Sequence, residues 1–206
     1  MVRDGYIYGL SLLAVAAVLA WITGNWAWSL PAILLALFFL QFFRDPERAI
    51  PTGIGLIVSP GDGKVTETTL IETPEGDRLR ISIFLSVFNV HVNRAPVGGE
   101  VTAVRHTPGE FHAAYSDLAS EKNERNLMVF SDNEGRRHAI LQVAGYLARR
   151  IVCRMRPHDR VQRSQRIGLI MFGSRVDHFI PQSYRVTAAI GQRVRAGQTV
   201  IGELVQ

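Results

Sequence analysis

Residues 187–204 read Thr187-Ala-Ala-Ile-Gly191-Gln-Arg-Val194-Arg-Ala-Gly197-Gln-Thr-Val200-Ile-Gly-Glu-Leu204, a Gly-x-x-Val-x-x-Gly-x-x-Val repeat. Spacing of this kind lets tight turns join short strands: Gly191 and Gly197 supply turn dihedrals, and Val194, Val200 and Ile201 face a core. The same grammar runs upstream. Gly55–Val58, Lys64–Thr68, Arg78–Leu85, Gly99–His106, Asn126–Ser131, Arg137–Val143 and Arg149–Met155 are runs rich in Val and Ile, broken by Gly, Pro and Asp every eight to twelve residues. They predict an antiparallel β core, mainly β in an α+β chain, with one helical stretch over Phe111–Glu121.

Moving back toward the N-terminus, the pattern stops at Phe42-Phe43-Arg44-Asp45-Pro46-Glu47-Arg48, where Pro46 and Pro51 discourage helix. A boundary falls there, dividing a hydrophobic helical hairpin (1–43) from a β domain (44–206). No charged residue occurs from Gly5 to Phe43. Two apolar blocks, 6–23 and 26–43, are separated by Gly24-Asn25; each would form a helix of about 27 Å, just short of a ~30 Å hydrocarbon core. A transmembrane or re-entrant hairpin fits, with a surface-lying pair of helices as the alternative, whereas a cleaved signal peptide fits poorly. Trp21, Trp26 and Trp28 gather at the turn, at headgroup level, and Pro31 sits in the first turn of the second helix. Arg3, Arg44 and Arg48 bracket the hairpin on one side, which places the β domain at the cytoplasmic face of the cell membrane.

The formal charge is +5, the pI is about 9.9, and 21 Arg stand against 2 Lys. Arginine's planar fork suits phosphate and carboxylate. Seven arginines (149, 150, 154, 156, 160, 163 and 166) fall in one short segment, a solvated face or a patch for an anionic membrane. No helix-turn-helix, zinc spacing or aromatic-interleaved basic motif appears, which excludes a nucleic-acid reader. The single Cys153 forms no intrachain disulfide and no metal cluster.

Chemistry concentrates in Met171-Phe172-Gly173-Ser174-Arg175-Val176-Asp177. Glycine leaves the carbonyl before the serine open to attack and tolerates strained dihedrals, and Ser174 offers a hydroxyl one peptide unit away. A Gly-Ser pair by itself is most often a turn. Three other motifs accompany it: Ser59-Pro60-Gly61-Asp62-Gly63-Lys64-Val65, Phe84-Leu85-Ser86-Val87-Phe88-Asn89-Val90-His91-Val92-Asn93-Arg94-Ala95-Pro96, and Asn123-Glu124-Arg125-Asn126. Asp62 reads as a turn aspartate and His91 as a core histidine when each is taken alone.

In this order the four motifs resemble the short branch of the phosphatidylserine decarboxylase family, over roughly residues 44–206. The resemblance implies a lipoyl-like antiparallel barrel-sandwich and self-cleavage between Gly173 and Ser174. It implies a large chain 1–173, a small chain 174–206, and a covalent pyruvoyl cofactor made from Ser174. It further implies decarboxylation of phosphatidylserine to phosphatidylethanolamine through a Schiff base, at an anionic membrane and without metal. Asp62 becomes a candidate for the relay that activates Ser174, His91 takes acid–base work, and Arg94 is a candidate substrate contact. The longer branch carries His-x-x-His in this loop, whereas here the second position is Arg94, which cannot act as a base. A homo-oligomer is compatible with these expectations. A decarboxylase of a soluble amino acid is disfavoured by the apolar hairpin, and the non-enzymatic alternative is a membrane-anchored sandwich that binds anions.

Overall fold

Helix α1 (Arg3–Thr23) ends at Gly24, whose φ of 61° is the left-handed stop that glycine adopts without a Cβ penalty. Asn25 then caps a short 3₁₀ turn (Trp26–Ser29) by accepting from the Ala27 amide, and α2 (Leu30–Phe42) follows with Pro31 in its first turn. The two helices run back to back. Val2 N–H donates to the Phe43 carbonyl at 3.0 Å, and Ser29 Oγ to the Ala16 carbonyl at 2.7 Å. At Gly9 a Cβ would stand 2.5 Å from the Leu40 side chain, so small residues set how closely α2 approaches. The 3₁₀ turn shortens the second arm to 13 residues, about 20 Å, against about 32 Å for the 21 residues of α1. Among the described residues, only α1 is long and apolar enough to cross a membrane by length and composition. Trp21, Trp26 and Trp28 all lie exposed around the turn.

The structure is a computed structural model; it describes residues 1–73, 76–112, 122–145, 150–171 and 173–205. It separates into two compact units, Met1–Glu47 and Arg48–Gln206. Most of the helical stretch expected over Phe111–Glu121 lies outside the described residues, as do Arg149 and Phe172.

In chain order the strands of the second unit are β1 (Leu56–Val58), β2 (Gly63–Ile71), β3 (Arg78–Leu85), β4 (Val92–Arg94) and β5 (Gly99–Thr107). Then come β6 (Arg125–Asp132), β7 (Arg137–Ala144), β8 (Ile151–Cys153), β9 (Arg160–Val161) and β10 (Arg166–Ile170). The last four are β11 (Ser174–Pro181), β12 (Tyr184–Val186), β13 (Arg193–Val194) and β14 (Val200–Leu204). Eight of them form one sheet in the order β13-β2-β3-β11-β7-β6-β5-β9; β1-β14-β12 and β4-β10-β8 are small three-stranded sheets. Every strand ladder is antiparallel, as the sequence spacing predicts. Ile81, Ile83, Leu85, Met128, Phe130, Ile140, Val176 and Ile180 alternate along β3, β6, β7 and β11 into one core.

Strand β11, at the centre of the large sheet, begins at the very serine of the Gly-Ser pair. In the C-terminal repeat, Gly191 (φ 89°) and Gly197 (φ 70°) do make the turns. Val194 and Ile201 are buried, but Val200 is only half-buried.

The core also holds two histidines on neighbouring strands, His138 (β7) and His178 (β11), with ring centroids 5.7 Å apart. Burial pushes His138 down to about 4 against the pull of Asp132, and burial pushes His178 well below the usual range. Both are neutral in the fold and take up protons on unfolding, so stability should fall as pH drops from about 6.5 toward 4. For His138 alone the loss is about 3 kcal/mol. Urea midpoints should decrease from pH 7 to pH 5, and the decrease should shrink in His138→Leu. An unchanged pH dependence in that variant would remove the histidine from the account.

Candidate active site

Ser174 is fully buried at the start of β11, opposite Leu85 of β3 on one side and Ala144 of β7 on the other. Its Oγ has no hydrogen-bond partner among the described residues. A buried hydroxyl in that state costs free energy, so its retention points to use rather than packing. Gly173 precedes it in a left-handed conformation (φ 62°). A Cβ there would meet nothing nearer than Val87 Cγ1 at 3.9 Å, so it is the dihedral and not space that favours glycine.

His91 lies against the Gly173 amide. Gly173 N–H donates to His91 Nε2 at 3.3 Å, while Nδ1 lies 3.0 Å from the Asn89 carbonyl. The two contacts are mutually consistent only for the neutral tautomer that carries its proton on Nδ1, which leaves the Nε2 lone pair aimed at the Gly-Ser segment. The ring is buried, as a base that excludes water should be.

Asp62 is held elsewhere. Its Oδ2 pairs with Arg48 at 2.7 Å and its Oδ1 accepts the Ala196 N–H at 2.7 Å. The Ser59–Gly63 turn is further pinned to the C-terminal repeat by Ser59 N–H to Thr199 O and Gly197 N–H to Ser59 O, each at 2.8 Å. Arg94 is buried, donates from Nη1 to the Ser164 carbonyl at 3.1 Å, and packs its stem where a Gly197 Cβ would stand, 2.8 Å from Cδ. Structure thus joins His91 to Gly173, the residue before Ser174, and brings both Asp62 and Arg94 to the 195–199 turn.

Sequence reasoning misses the residues behind the centre. Asn126 Nδ2 donates to Gln142 Oε1 (2.9 Å), Gln142 Nε2 to Asn93 Oδ1 (2.7 Å), and Asn93 Nδ2 to the Pro60 carbonyl (3.4 Å). This buried row of amides links three of the four motifs, through Gln142, which pairs in register with Val176 two residues along β11 from Ser174. Asn126 and Asn93 lie inside quoted motifs, but Gln142 sits in an ordinary β run and carries no local signal. Arg48, the cation on Asp62, was visible only as part of the exit from the hairpin.

The Arg175-Val176-Asp177 part of the motif has a separate explanation. Strand alternation sends Val176 to the core and turns Arg175 and Asp177 to the other face, where they pair at 2.9 Å (Nε to Oδ1) and 3.0 Å (Nη2 to Oδ2). Burial pushes the Asp177 carboxyl up, and Arg175 opposes it. Within the arginine segment, Arg150, Arg154, Arg156, Arg160 and Arg166 are exposed. Arg163 instead clamps the carbonyls of Pro51, Gly53 and Leu56 at 2.7, 3.0 and 3.2 Å. It is structural.

Fold and site define a mainly antiparallel β protein with a buried serine after a left-handed glycine and a buried histidine on that glycine's amide. The model of the family described as phosphatidylserine decarboxylase matches residues 35–202. The phosphatidylserine decarboxylase proenzyme of Symbiobacterium thermophilum is 47% identical over 209 residues, covering 99% of this chain and 95% of that protein. That of Nitrosomonas eutropha is 43% identical over 203 residues (98% and 94%), and that of Desulfotalea psychrophila 46% over 176 residues (84% and 82%). The chain belongs to the phosphatidylserine decarboxylase family.

Gln142→Leu should strand Asn126 Nδ2 and Asn93 Oδ1 in a dry core, at a cost of about 1–3 kcal/mol for each orphaned group. Urea denaturation of the purified chain checks this. Wild-type stability in the variant would show that the amide row bears no weight.

Proposed function

We propose that this chain is a self-processing, pyruvoyl-dependent decarboxylase that converts phosphatidylserine to phosphatidylethanolamine and CO₂. The activity is that of its family. The observation that carries the processing part is the partnerless, buried Ser174 Oγ next to a left-handed Gly173 whose amide faces His91 Nε2.

Self-cleavage starts when Ser174 Oγ attacks the Gly173 carbonyl carbon. A C–O ester forms, the C–N bond breaks, and the Ser174 amine is released. Loss of the Ser174 Cα proton with departure of the Gly173 carboxylate leaves dehydroalanine, which water converts to a pyruvoyl group with release of ammonia. The fit is direct, since the hydroxyl spends no hydrogen bond on the resting fold. The pyruvoyl carbonyl supplies the electron sink that decarboxylation of an amino acid needs. Asp62, fixed by Arg48 and the Ala196 amide, is the carboxylate proposed for the processing relay. His91 Nε2 is proposed to move protons at the cut bond and, once the Gly173 end has departed, to return one to the reacting carbon of substrate. Arg94 is the proposed contact to the substrate's anionic groups, and its buried anchor on Ser164 makes it a structural residue as well.

The products are a large chain 1–173 and a small chain 174–206. The apolar hairpin and the exposed arginines support work at the cytoplasmic face of an anionic cell membrane.

Ser174→Ala should remain one chain of full mass without activity, and cleavage of that variant at the normal bond would sink the mechanism. His91→Ala should still yield two chains, since a single cleavage tolerates a slow step. Its steady-state decarboxylation should fall by at least about a hundredfold, the usual worth of a positioned proton donor. Intact mass spectrometry beside a rate assay separates the roles. Should His91→Ala stay uncleaved while Asp62→Ala cleaves normally, the division of labour is reversed.

A further inference from the structure

The turn that leads into His91 carries side chains that its position does not call for. Ser86–Asn89 closes with Asn89 N–H donating to the Ser86 carbonyl at 2.9 Å. Asn89 Oδ1 accepts from both the Ser86 amide (2.9 Å) and its hydroxyl (2.7 Å), and the Asn89 carbonyl is the one that meets His91 Nδ1. The turn is therefore rigid and built as one piece with the acid–base group. Its two central positions, where Pro, Asp, Asn or Gly are usual, are Val87 and Phe88. Val87 is half-buried and supplies the atom nearest to Gly173 where a Cβ would stand. Phe88 is 72% exposed.

The backbone of an exposed basic residue is tied to the same segment. Met171, two residues before Gly173, donates its N–H to the Arg150 carbonyl at 3.1 Å, and Arg150 is exposed. A single exposed apolar side chain is ordinary on a protein surface. Here it is an aromatic ring fixed one hydrogen-bonded turn from the histidine that faces the buried serine. The substrate of the family is an amphiphile whose headgroup has to reach that serine while its acyl chains stay out of water.

We propose that Phe88 is the lipid-contacting residue of this site. Its ring enters the boundary between headgroups and acyl chains of an anionic bilayer beside the phospholipid being turned over, and Arg150 meets the surrounding phosphates. Aromatic rings favour that depth, and a basic side chain near an anionic leaflet is attracted to it. The turn then sets the height of His91 and Ser174 above the acyl boundary. This inference rests on phosphatidylserine being the substrate.

The test uses the full chain and two forms of substrate: phosphatidylserine in phosphatidylcholine vesicles, and a short-chain phosphatidylserine kept monomeric below its micelle concentration. Phe88→Ala should lower kcat/KM on vesicles by about tenfold or more, the scale set by burying one large apolar side chain. Phe88→Glu should lower it further, and Phe88→Trp should restore it. On the monomeric substrate all three should stay within about twofold of wild type, and all three should cleave themselves normally. Unchanged vesicle activity in Phe88→Ala and Phe88→Glu would overturn the proposal, as would equal loss on both substrates. Failure of Phe88→Ala to self-cleave would move Phe88 into the processing machinery and overturn it too. Dissociation of an oligomer by Phe88→Glu in analytical ultracentrifugation would make the turn a contact between copies of this chain instead. A wild-type chain that decarboxylates neither form would overturn the substrate assignment, and this inference with it.

Discussion

Polar groups taken out of water need partners, and the most consequential ones in this fold lie behind β11. Asn126, Gln142 and Asn93 satisfy one another in a row that ends on the Pro60 carbonyl. None of these amides could be buried alone without losing about as much free energy as a core methylene group contributes, or more. Residues from four distant stretches of chain must therefore arrive together. The row works as a register pin: β7, β6, β4 and the Ser59–Gly63 turn each contribute one member, so a slip of β7 or β4 breaks two of its hydrogen bonds at once and a slip of β6 breaks one. Placement of His91 follows from that pin, because it lies two residues from Asn93 on the same approach to β4.

Strand β11 shows how a chain can be cut near its core and stay folded. It pairs with β3 over eight residues and with β7 over six, and the proposed break falls just before its first residue. All the residues that β11 contributes lie on the C-terminal side of that break, so beyond Ser174, whose nitrogen the proposed processing releases, cleavage leaves those pairings in place. The small chain also keeps β14 between β1 and β12, and the Ala196 and Thr199 contacts to the Ser59–Gly63 turn. Left-handed Gly173 marks the hinge at which the covalent path can end without loss to either sheet.

Much of the β domain was legible because half-buried strands alternate. The spacing of apolar residues marks Arg78–Leu85 to the residue, and β5, β6 and β7 to within one or two at each end. β11 carries no such signal, since it is buried on nearly every residue and its polar members, Ser174, Arg175, Asp177 and His178, hide the periodicity. Non-local electrostatics were equally hidden: nothing in the local sequence couples Arg48 to Asp62, or sends Arg163 to three carbonyls more than a hundred residues away. The second apolar block looked as long as the first, yet Asn25 capping a 3₁₀ turn takes its first residues out of the α-helix. Side-chain capping of this kind competes with helix wherever Asn and Ser flank an apolar run.

Position 94 is where sequence and geometry inform each other most. Alternation along β4 puts His91 and Asn93 on one side and Arg94 on the other. Arg94 accordingly reaches Ser164 and Gly197, next to the Ala196 amide that holds Asp62. A histidine at this position, as the longer branch of the family has, would lie close to the Asp62 turn, which is where a relay partner for that carboxylate belongs. Here arginine occupies the place, and a second arginine, Arg48, already neutralises Asp62. Arginine holds its proton throughout the accessible pH range, so the pair can fix a carboxylate but cannot shuttle a proton to it. In the proposed mechanism the proton transfers of turnover then fall on the buried His91 imidazole, whose Nε2 accepts the Gly173 N–H. On that proposal the tautomer of His91, set by the Asn89 carbonyl, bears on turnover and ties it to the turn that presents Phe88.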